Sequence, residues 1–571
     1  MPSVAVAREP GRIIILVVAL VAVALLGYGP YLMLPFIGDD YVFIDQGLRL
    51  TFKDLLSPAN THFGWFRPWS REIYFFTLLK LFGSNEVAFR AASFALWLAT
   101  LGLYGAILVR IASWRIAVVA TLGASTLGLW GAPLLWISGS QDLWMLVFAL
   151  ATLMLFAQGR LAAATLTQVL ALMSKESAAV VPCLMTAYAM LMSRASWRSA
   201  LRQTWPLWAT LIVWIAVHPT LRDRMRFEQA HTLETEHRPS FLVGTARTVL
   251  STINLDAIPK PVEVGARDVA LGLASIVVLW AAVRRLLPRG ARPNVDEKRG
   301  TLLRFGLVWA LLGWLPMLVP TIGWHAYYAC FGALGAWLVL AIVLAGHRAA
   351  VIAMLATMII LRTAASASLS WDWGSAWYQK RAGYLLSAIH ERLLVMHPTV
   401  PPNTRFYFGR IPNNIGLIAG SSPAVQVWYR DTTLAAEFYS GYRPRRADER
   451  SGLDLFFRFD SVQALVEVTD QVPAGADQAR AWEADQLNLA MLMLRAGDME
   501  RAGHHFAVLS ELPQRPEAAI YAGVSFARAG KTHLADSLLR EGARRTGITS
   551  DSLKTWVQEL DASMPVPSSV P

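Results

Sequence analysis

Two adjacent carboxylates, Asp39 and Asp40, follow directly on a long apolar run in the stretch FIGDDYVFI. A carboxylate placed where a chain leaves the membrane can face a half-dry cavity, where lost hydration lifts its pKa into the range of a working base. The same pair can equally end a helix in water. FGWFRPWSREIYFF (63–76) then sets Arg67, Arg71 and Glu72 among aromatic rings that include Trp69. Guanidinium groups at headgroup depth suit an anionic phosphate, and they suit simple snorkelling as well. ALMSKESAAVVP (171–182) interrupts an apolar stretch with Lys175 and Glu176. Ionisable residues at such a boundary are costly unless they face a polar cavity or close a helix hairpin as an ion pair. GWHAYYACFG (323–332) places His325, Tyr327 and Tyr328 just before a late apolar run, where tyrosines either anchor the interface or line a site. Together these stretches describe one hypothetical cavity with an acidic base, several cations for a phosphate, and aromatic walls.

The elements that must position such a cavity are membrane helices. Of 571 residues, 55% are hydrophobic and only 16% charged, too few charges for a soluble protein of this length. Runs able to cross about 30 Å of hydrocarbon occur near 13–34, 87–109, 116–135, 141–157, 161–174, 177–193, 204–218, 268–287, 303–320, 326–345 and 349–366. The spacing thus predicts about eleven spans, the first of them retained rather than cleaved as a signal peptide. The net charge of +12 does not point to nucleic acid, because the Lys and Arg residues lie scattered between apolar runs. Arg8, Arg12, Arg110, Arg115, Arg160, Arg194, Arg198, Arg202, Arg284, Arg285, Arg289, Arg292, Lys298, Arg299, Arg304 and Arg348 all fall on one side, while the short connections 136–140 and 320–325 carry none. The positive-inside rule puts that side and the N-terminus in the cytoplasm, and an odd number of spans puts the C-terminal region outside. Cys183 and Cys330 sit in apolar segments, which argues against a disulfide framework.

From about residue 367 the composition turns water-facing. An amphipathic helix at 374–395 and short strands at RFYFG, LFFRF and ALVEV predict a small α/β unit over 367–475. Helical hairpins follow over 476–571. LRAGDMERAG (494–503) aligns with ARAGKTHLAD (527–536), and Ala490/Gly523, Met493/Phe526, Gly497/Gly530, Ala502/Ala535 and Phe506/Leu539 share an offset of 33 residues. Small residues that let helices approach, with large ones filling the gap, follow tetratricopeptide logic. Such an array is either a surface for a protein partner or a packed appendage.

The order of these features resembles the GT-C superfamily of polyprenyl-phosphate-sugar glycosyltransferases, especially protein O-mannosyltransferases and the transmembrane-and-tetratricopeptide O-mannosyltransferases. Asp39-Asp40 matches the acidic pair after the first span, Arg67-Pro68-Trp69 the first outer loop, and Met173-Ser174-Lys175-Glu176 the "LSKE" segment. Where the family often has Arg before Tyr, this chain has His325-Ala326-Tyr327-Tyr328. The likeness covers about 1–366, with the repeats matching in arrangement only. It implies an inverting transfer of one sugar, mannose in those relatives, from a polyprenyl phosphate to a protein, lipid or glycan acceptor outside the cytoplasm of a bacterial cell. Asp39 or Asp40 would be the base, and Arg67, Arg71, Lys175 and His325 would hold the donor phosphate. Glu176, Trp69, Tyr327 and Tyr328 would line the cavity, and the spans would cradle the isoprenoid tail. Some relatives use a divalent cation. No metal-ligand spacing is visible here, and Asp39, Asp40 and Glu176 would hold an ion only if the fold brought them together. The competing readings are a lipid or solute transporter, in which intramembrane charges mark a pathway, and a non-catalytic assembly protein that binds partners through its repeats. Against transport, neither half of the chain repeats the other.

Overall fold

Long apolar runs become helices in lipid because a backbone that cannot bond to water must bond to itself. The computed structural model describes residues 10–61, 64–221, 239–256, 262–287, 298–318, 324–370, 372–411, 422–446 and 451–563. Arg8, Arg289 and Arg292, used in the orientation argument, lie outside the described residues. The chain divides into two units, Met1–Tyr384 and Leu385–Pro571.

The first unit is α-helical and built for a membrane. Among the described residues, seven helices are long and apolar enough to cross: Pro10–Tyr31, Glu86–Ile111, Ile137–Ala157, Ala266–Leu286, Arg299–Met317, Ala326–Leu344 and Arg348–Ala367. A bent pair, Trp114–Ser125 with Gly128–Leu135, makes an eighth. The remaining apolar runs give other objects. Runs 161–174 and 177–193 form helices Leu161–Leu172 and Val181–Leu191 of 12 and 11 residues, each roughly 16–18 Å long at 1.5 Å per residue. Run 204–218 is the apolar half of Trp197–Val217, whose first turns carry Arg198 and Arg202. Between runs 204–218 and 268–287, where no span is predicted, lies a further apolar helix, Phe241–Ser251.

Two devices hold this bundle. The bent pair turns by 54°, which exposes backbone groups at the break. Asn254 satisfies them: its Oδ1 accepts from Gly128 N at 2.7 Å, and its Nδ2 donates to Thr126 O at 3.0 Å and Met358 O at 2.9 Å. Asn254 is buried with φ +60, a left-handed conformation that asparagine tolerates better than most residues. Elsewhere, helices Arg299–Trp314 and Cys330–Leu344 approach through glycines. A Cβ on Gly335 would lie 2.4 Å from Ala310 N, and one on Gly313 2.4 Å from Gly332 N, the close backbone contact that small residues permit in membranes.

Arg90, fully buried in helix Glu86–Ile111, fixes the path of the first connection. Its guanidinium donates to Leu32 O at 3.3 Å, to Leu34 O, to Pro35 O at 2.7 Å and to Leu135 O at 3.3 Å. The chain leaving the first helix is thereby pinned just ahead of helix Asp39–Arg49.

The second unit begins within helix Ala376–Met396. It holds a four-stranded sheet in the order β2-β1-β3-β4, from β1 (Arg405–Gly409), β2 (Ala435–Phe438), β3 (Asp454–Asp460) and β4 (Ala464–Glu467). β1 runs parallel to both neighbours, and β4 antiparallel to β3. RFYFG is buried at every position, as a central parallel strand must be. Helices Ala476–Arg495, Met499–Ser510, Ala518–Arg528, Thr532–Thr546 and Ser550–Ser563 follow. Leu489, Met493, Phe506 and Phe526 share a core with Tyr407 and Phe456 of the sheet. Gly497 (φ +80) and Gly530 (φ +76) end their helices in the same left-handed turn. In both, the next residue's N–H returns to the chain, Asp498 N to Met493 O and Lys531 N to Phe526 O, each at 2.9 Å.

The glycine seam gives a stability prediction. Gly335→Val forces two backbones apart and should cost about 1–3 kcal/mol by overpacking, read as a lowered melting temperature in detergent. Gly102→Ala, where a Cβ meets nothing within 4 Å, should leave the melting temperature at or above that of the native chain.

Candidate functional site

The carboxylate pair splits into two environments. Asp40 is fully buried, and both of its oxygens are engaged. Oδ1 accepts from Ser138 N at 2.7 Å and Ser138 Oγ at 2.5 Å, and Oδ2 accepts from Ile37 N at 2.9 Å. Burial pushes its pKa up to about 6, against the lowering effect of those hydrogen bonds and of Arg90. Asp40 therefore ties the first connection to the Ile137–Gly139 turn. Asp39, the first residue of helix Asp39–Arg49, is only half-buried. Its charge reaches Tyr378, whose phenol is pushed up first by burial and then by Asp39.

From Ser138 the network continues along the next helix. Gln141 Nε2 donates to Ser138 O at 2.9 Å, and Gln141 Oε1 accepts from Arg67 Nη1 at 2.8 Å. Arg67 forks onto Glu176, with Nε 2.9 Å from Oε2 and Nη2 2.6 Å from the same oxygen. His218 approaches Glu176 from the end of helix Trp197–Val217, at 3.9 Å. The residue beside Gln141, Asp142, takes both of its contacts from Lys175 Nζ, at 2.6 and 2.7 Å. Lys175 also lies over the rings of Tyr328 (4.3 Å) and Tyr327 (5.2 Å). The aromatic wall extends through Trp136, whose Nε1 donates to Ile37 O at 3.1 Å and whose ring meets Tyr327 and Trp373 edge-on. His325 is buried against Trp373, with centroids 3.9 Å apart, and its Nδ1 is 2.6 Å from Asp372 Oδ1. Burial raises the Asp372 carboxyl, but the His325 hydrogen bond and charge and the Gly374 N–H outweigh it and leave the group below the usual carboxylate range.

Asp40, Arg67, Lys175, Glu176, His325, Tyr327 and Tyr328 thus belong to one continuous set of contacts drawn from segments far apart in the chain. Trp69 and Arg71 serve that set from behind. Trp69 packs edge-on against Trp144 and Phe148. Arg71 is buried on Glu72 at 3.2 Å and on the carbonyls of Asn60 and Trp65, facing the Phe43 ring. These contacts place it in the packing of its own turn.

Ser138, Gln141, Asp142, His218, Asp372 and Arg90 are not singled out by the sequence reading. The adjacent polar pair Gln141-Asp142 at the head of an apolar run was a usable signal, since such residues are costly in lipid. Asp372 and His218 carry no such signal. Among the described residues, no three His, Cys, Asp or Glu side chains gather to hold a metal ion. Asp40 is committed to N–H and O–H donors and Glu176 to Arg67, so the trio Asp39, Asp40 and Glu176 does not fit a divalent cation.

Two predictions come from this geometry. Because the folded pKa of Asp40 lies above its ordinary value of 3.8, the neutral form is favoured in the fold. Its stabilising contribution is full below about pH 4 and lost as pH rises to about 6, by up to about 3 kcal/mol. Melting temperatures should fall across that window in the native chain and stay flat in Asp40→Asn, and an identical slope in both would refute the assignment. Separately, Lys175→Met should cost about 3–5 kcal/mol by stranding the buried Asp142, and Lys175→Met with Asp142→Leu should recover most of it. Thermal unfolding of the four-member cycle measures this.

No protein-family model matches the chain, and no curated protein matches it either.

Proposed function

We propose that this protein is a GT-C-type membrane glycosyltransferase that moves one sugar, mannose or a close relative, from a polyprenyl phosphate to an acceptor hydroxyl outside the cytoplasm. The observation that carries the proposal is the convergence of alternate connections. Residues 31–40, 136–142, 173–176, 218–220 and 324–328 meet through the contacts of Asp40, Arg67, Glu176, Thr220 and Lys175, with Thr220 Oγ1 donating to Gly64 O at 2.6 Å. The intervening connections lie elsewhere, as in Arg115 donating to Ala345 O. Alternate connections meeting at one end is what an up-and-down series of about eleven crossings produces, with the short helices as tilted or partial spans. The end whose short connections 136–140 and 320–325 carry no Lys or Arg is then the outer one.

In this reading Asp39 is the base. Asp40 has no oxygen free of donors, whereas Asp39 stands half-exposed beside it. The Asp39 carboxylate takes the proton of the acceptor hydroxyl as that oxygen bonds to the anomeric carbon on the face opposite the phosphate. The C–O bond to phosphate breaks, and the electron pair leaves with the polyprenyl phosphate, so the configuration inverts. Lys175 with Tyr327 and Tyr328 forms a cationic and aromatic wall for the sugar phosphate, and Arg67 with Glu176 holds that wall in place. The five C-terminal helices, read as tetratricopeptide-like, would bind an acceptor or partner protein.

The test uses purified protein with radiolabelled polyprenyl-phosphate sugars and a membrane extract. Asp39→Asn should reduce transfer at least about 100-fold with an unchanged melting temperature and unchanged donor binding. An assembly protein would show no transfer with any donor, and an Asp39→Asn enzyme of native activity would remove Asp39 from its role.

A further inference from the structure

A cavity of about 100 Å³ opens where the outer ends of helices Pro10–Tyr28, Ala266–Leu286 and Arg348–Ala367 meet. It shares Tyr327 and Asp372 with the network above but contains none of its cations. Its charged lining is Arg247, Arg362, Lys380, Asp256, Asp268 and Asp372. Five of these six are engaged. Arg247 lies 3.9 Å over the Trp324 ring, Lys380 lies 4.4 Å over Tyr31 with Asp268 acting on it, Asp372 is held by His325, and Asp256 has contacts of its own.

Arg362 differs from all of them. It is 6% exposed, its Nη1 is buried without a hydrogen-bond partner, and no carboxylate pairs with it among the described residues. The Tyr28 ring at 5.7 Å is a weak substitute for an anion. Gly27 makes the room: a Cβ there would stand 3.1 Å from Arg362 Nη2. A snorkelling arginine turns outward to the interface, whereas this one is turned inward to a cavity. Leaving a buried guanidinium N–H unmade is expensive, and a planar donor fork at headgroup depth matches a phosphate.

We propose that this cavity binds the phosphate ester of a membrane lipid, with Arg362 forking onto the phosphate oxygens, Lys380 closing the rim, and Asp256 and Asp268 accepting donors from the group beyond the phosphate. The volume equals several water molecules, enough for a phosphate and its first substituent. Arg67 and Lys175 are already matched by carboxylates, so the unmatched Arg362 adds a phosphate contact that the sequence motifs do not mark, beside the wall formed by Lys175. The assignment deepens the transfer reading without depending on it. Arg362-dependent binding with no transfer from any donor would remove the enzyme and leave the site.

Full-length protein in phosphatidylcholine nanodiscs is titrated with ³²P-labelled farnesyl phosphate and competed with unlabelled farnesyl phosphate, dioleoyl phosphatidic acid, farnesol and inorganic phosphate. Arg362→Gln should weaken farnesyl phosphate binding at least about tenfold, Arg362→Lys less, and Lys380→Gln by about three- to tenfold. Preference for farnesyl phosphate assigns an isoprenoid source, and preference for phosphatidic acid a glycerolipid source. Native affinity in all three variants, farnesol competing as well as farnesyl phosphate, or inorganic phosphate competing as well as either lipid would each overturn the proposal. If Arg362→Gln does not fold by melting analysis, Arg362→Lys and Lys380→Gln decide it.

Discussion

The carboxylate of Asp40 is the constraint on which the rest of the candidate site depends. One buried side chain accepts three hydrogen bonds, two from Ser138 and one from Ile37, and so fastens the first connection to the turn that opens the fourth apolar run. Arg90 fastens the same connection from the other side through carbonyls at 32–35 and 135. In a medium where an unmade hydrogen bond costs several kcal/mol, such ties admit few alternative loop paths. Gln141 and Asp142 then stand where Arg67 and Lys175 must come to meet them.

Matching of charges follows from the same physics. Each of Arg67, Lys175 and Arg71 ends on a carboxylate, which offsets the cost of burying its charge, and buried Arg90 is met by backbone carbonyls instead. The consequence is a division of labour between neighbours. Asp40 commits both of its oxygens to holding the fold, and Asp39 keeps a partly exposed face. Arg71 holds its turn, and Arg67 holds Glu176. Residue type shows that a charge is present, while its partner shows whether that charge is available for chemistry.

This is also why the sequence was legible to different depths. Apolar runs show in composition, so the principal helices could be read directly, and RFYFG shows as a strand because all five residues are buried in the middle of the sheet. The paired turns at Gly497 and Gly530 were readable as an offset of 33 residues, since both positions need a left-handed backbone. β2, written AAEF, has no alternation to notice. Leu161–Leu172 reads as a span by hydropathy but has only 12 residues of helix, since composition does not record where a helix stops. Asp142, Asp372, His218 and Asn254 are ordinary letters whose meaning depends on partners 33 to 128 positions away.

His325 draws these points together. Just before the late aromatic pair Tyr327-Tyr328 this chain has an imidazole. The structure gives that imidazole a carboxylate at 2.6 Å and an indole at 3.9 Å, an arrangement that fixes the orientation of the ring. Lys175 lies over Tyr327 and Tyr328 on one side, and an anion on the cavity side of Tyr327 needs a further cation. Arg362 stands on another helix with its guanidinium in the cavity that Tyr327 and Asp372 also line. His325, held by Asp372 and Trp373, and Arg362, which no carboxylate meets among the described residues, thus flank Tyr327 in opposite states: one is fixed by its partners and the other is left open to the cavity.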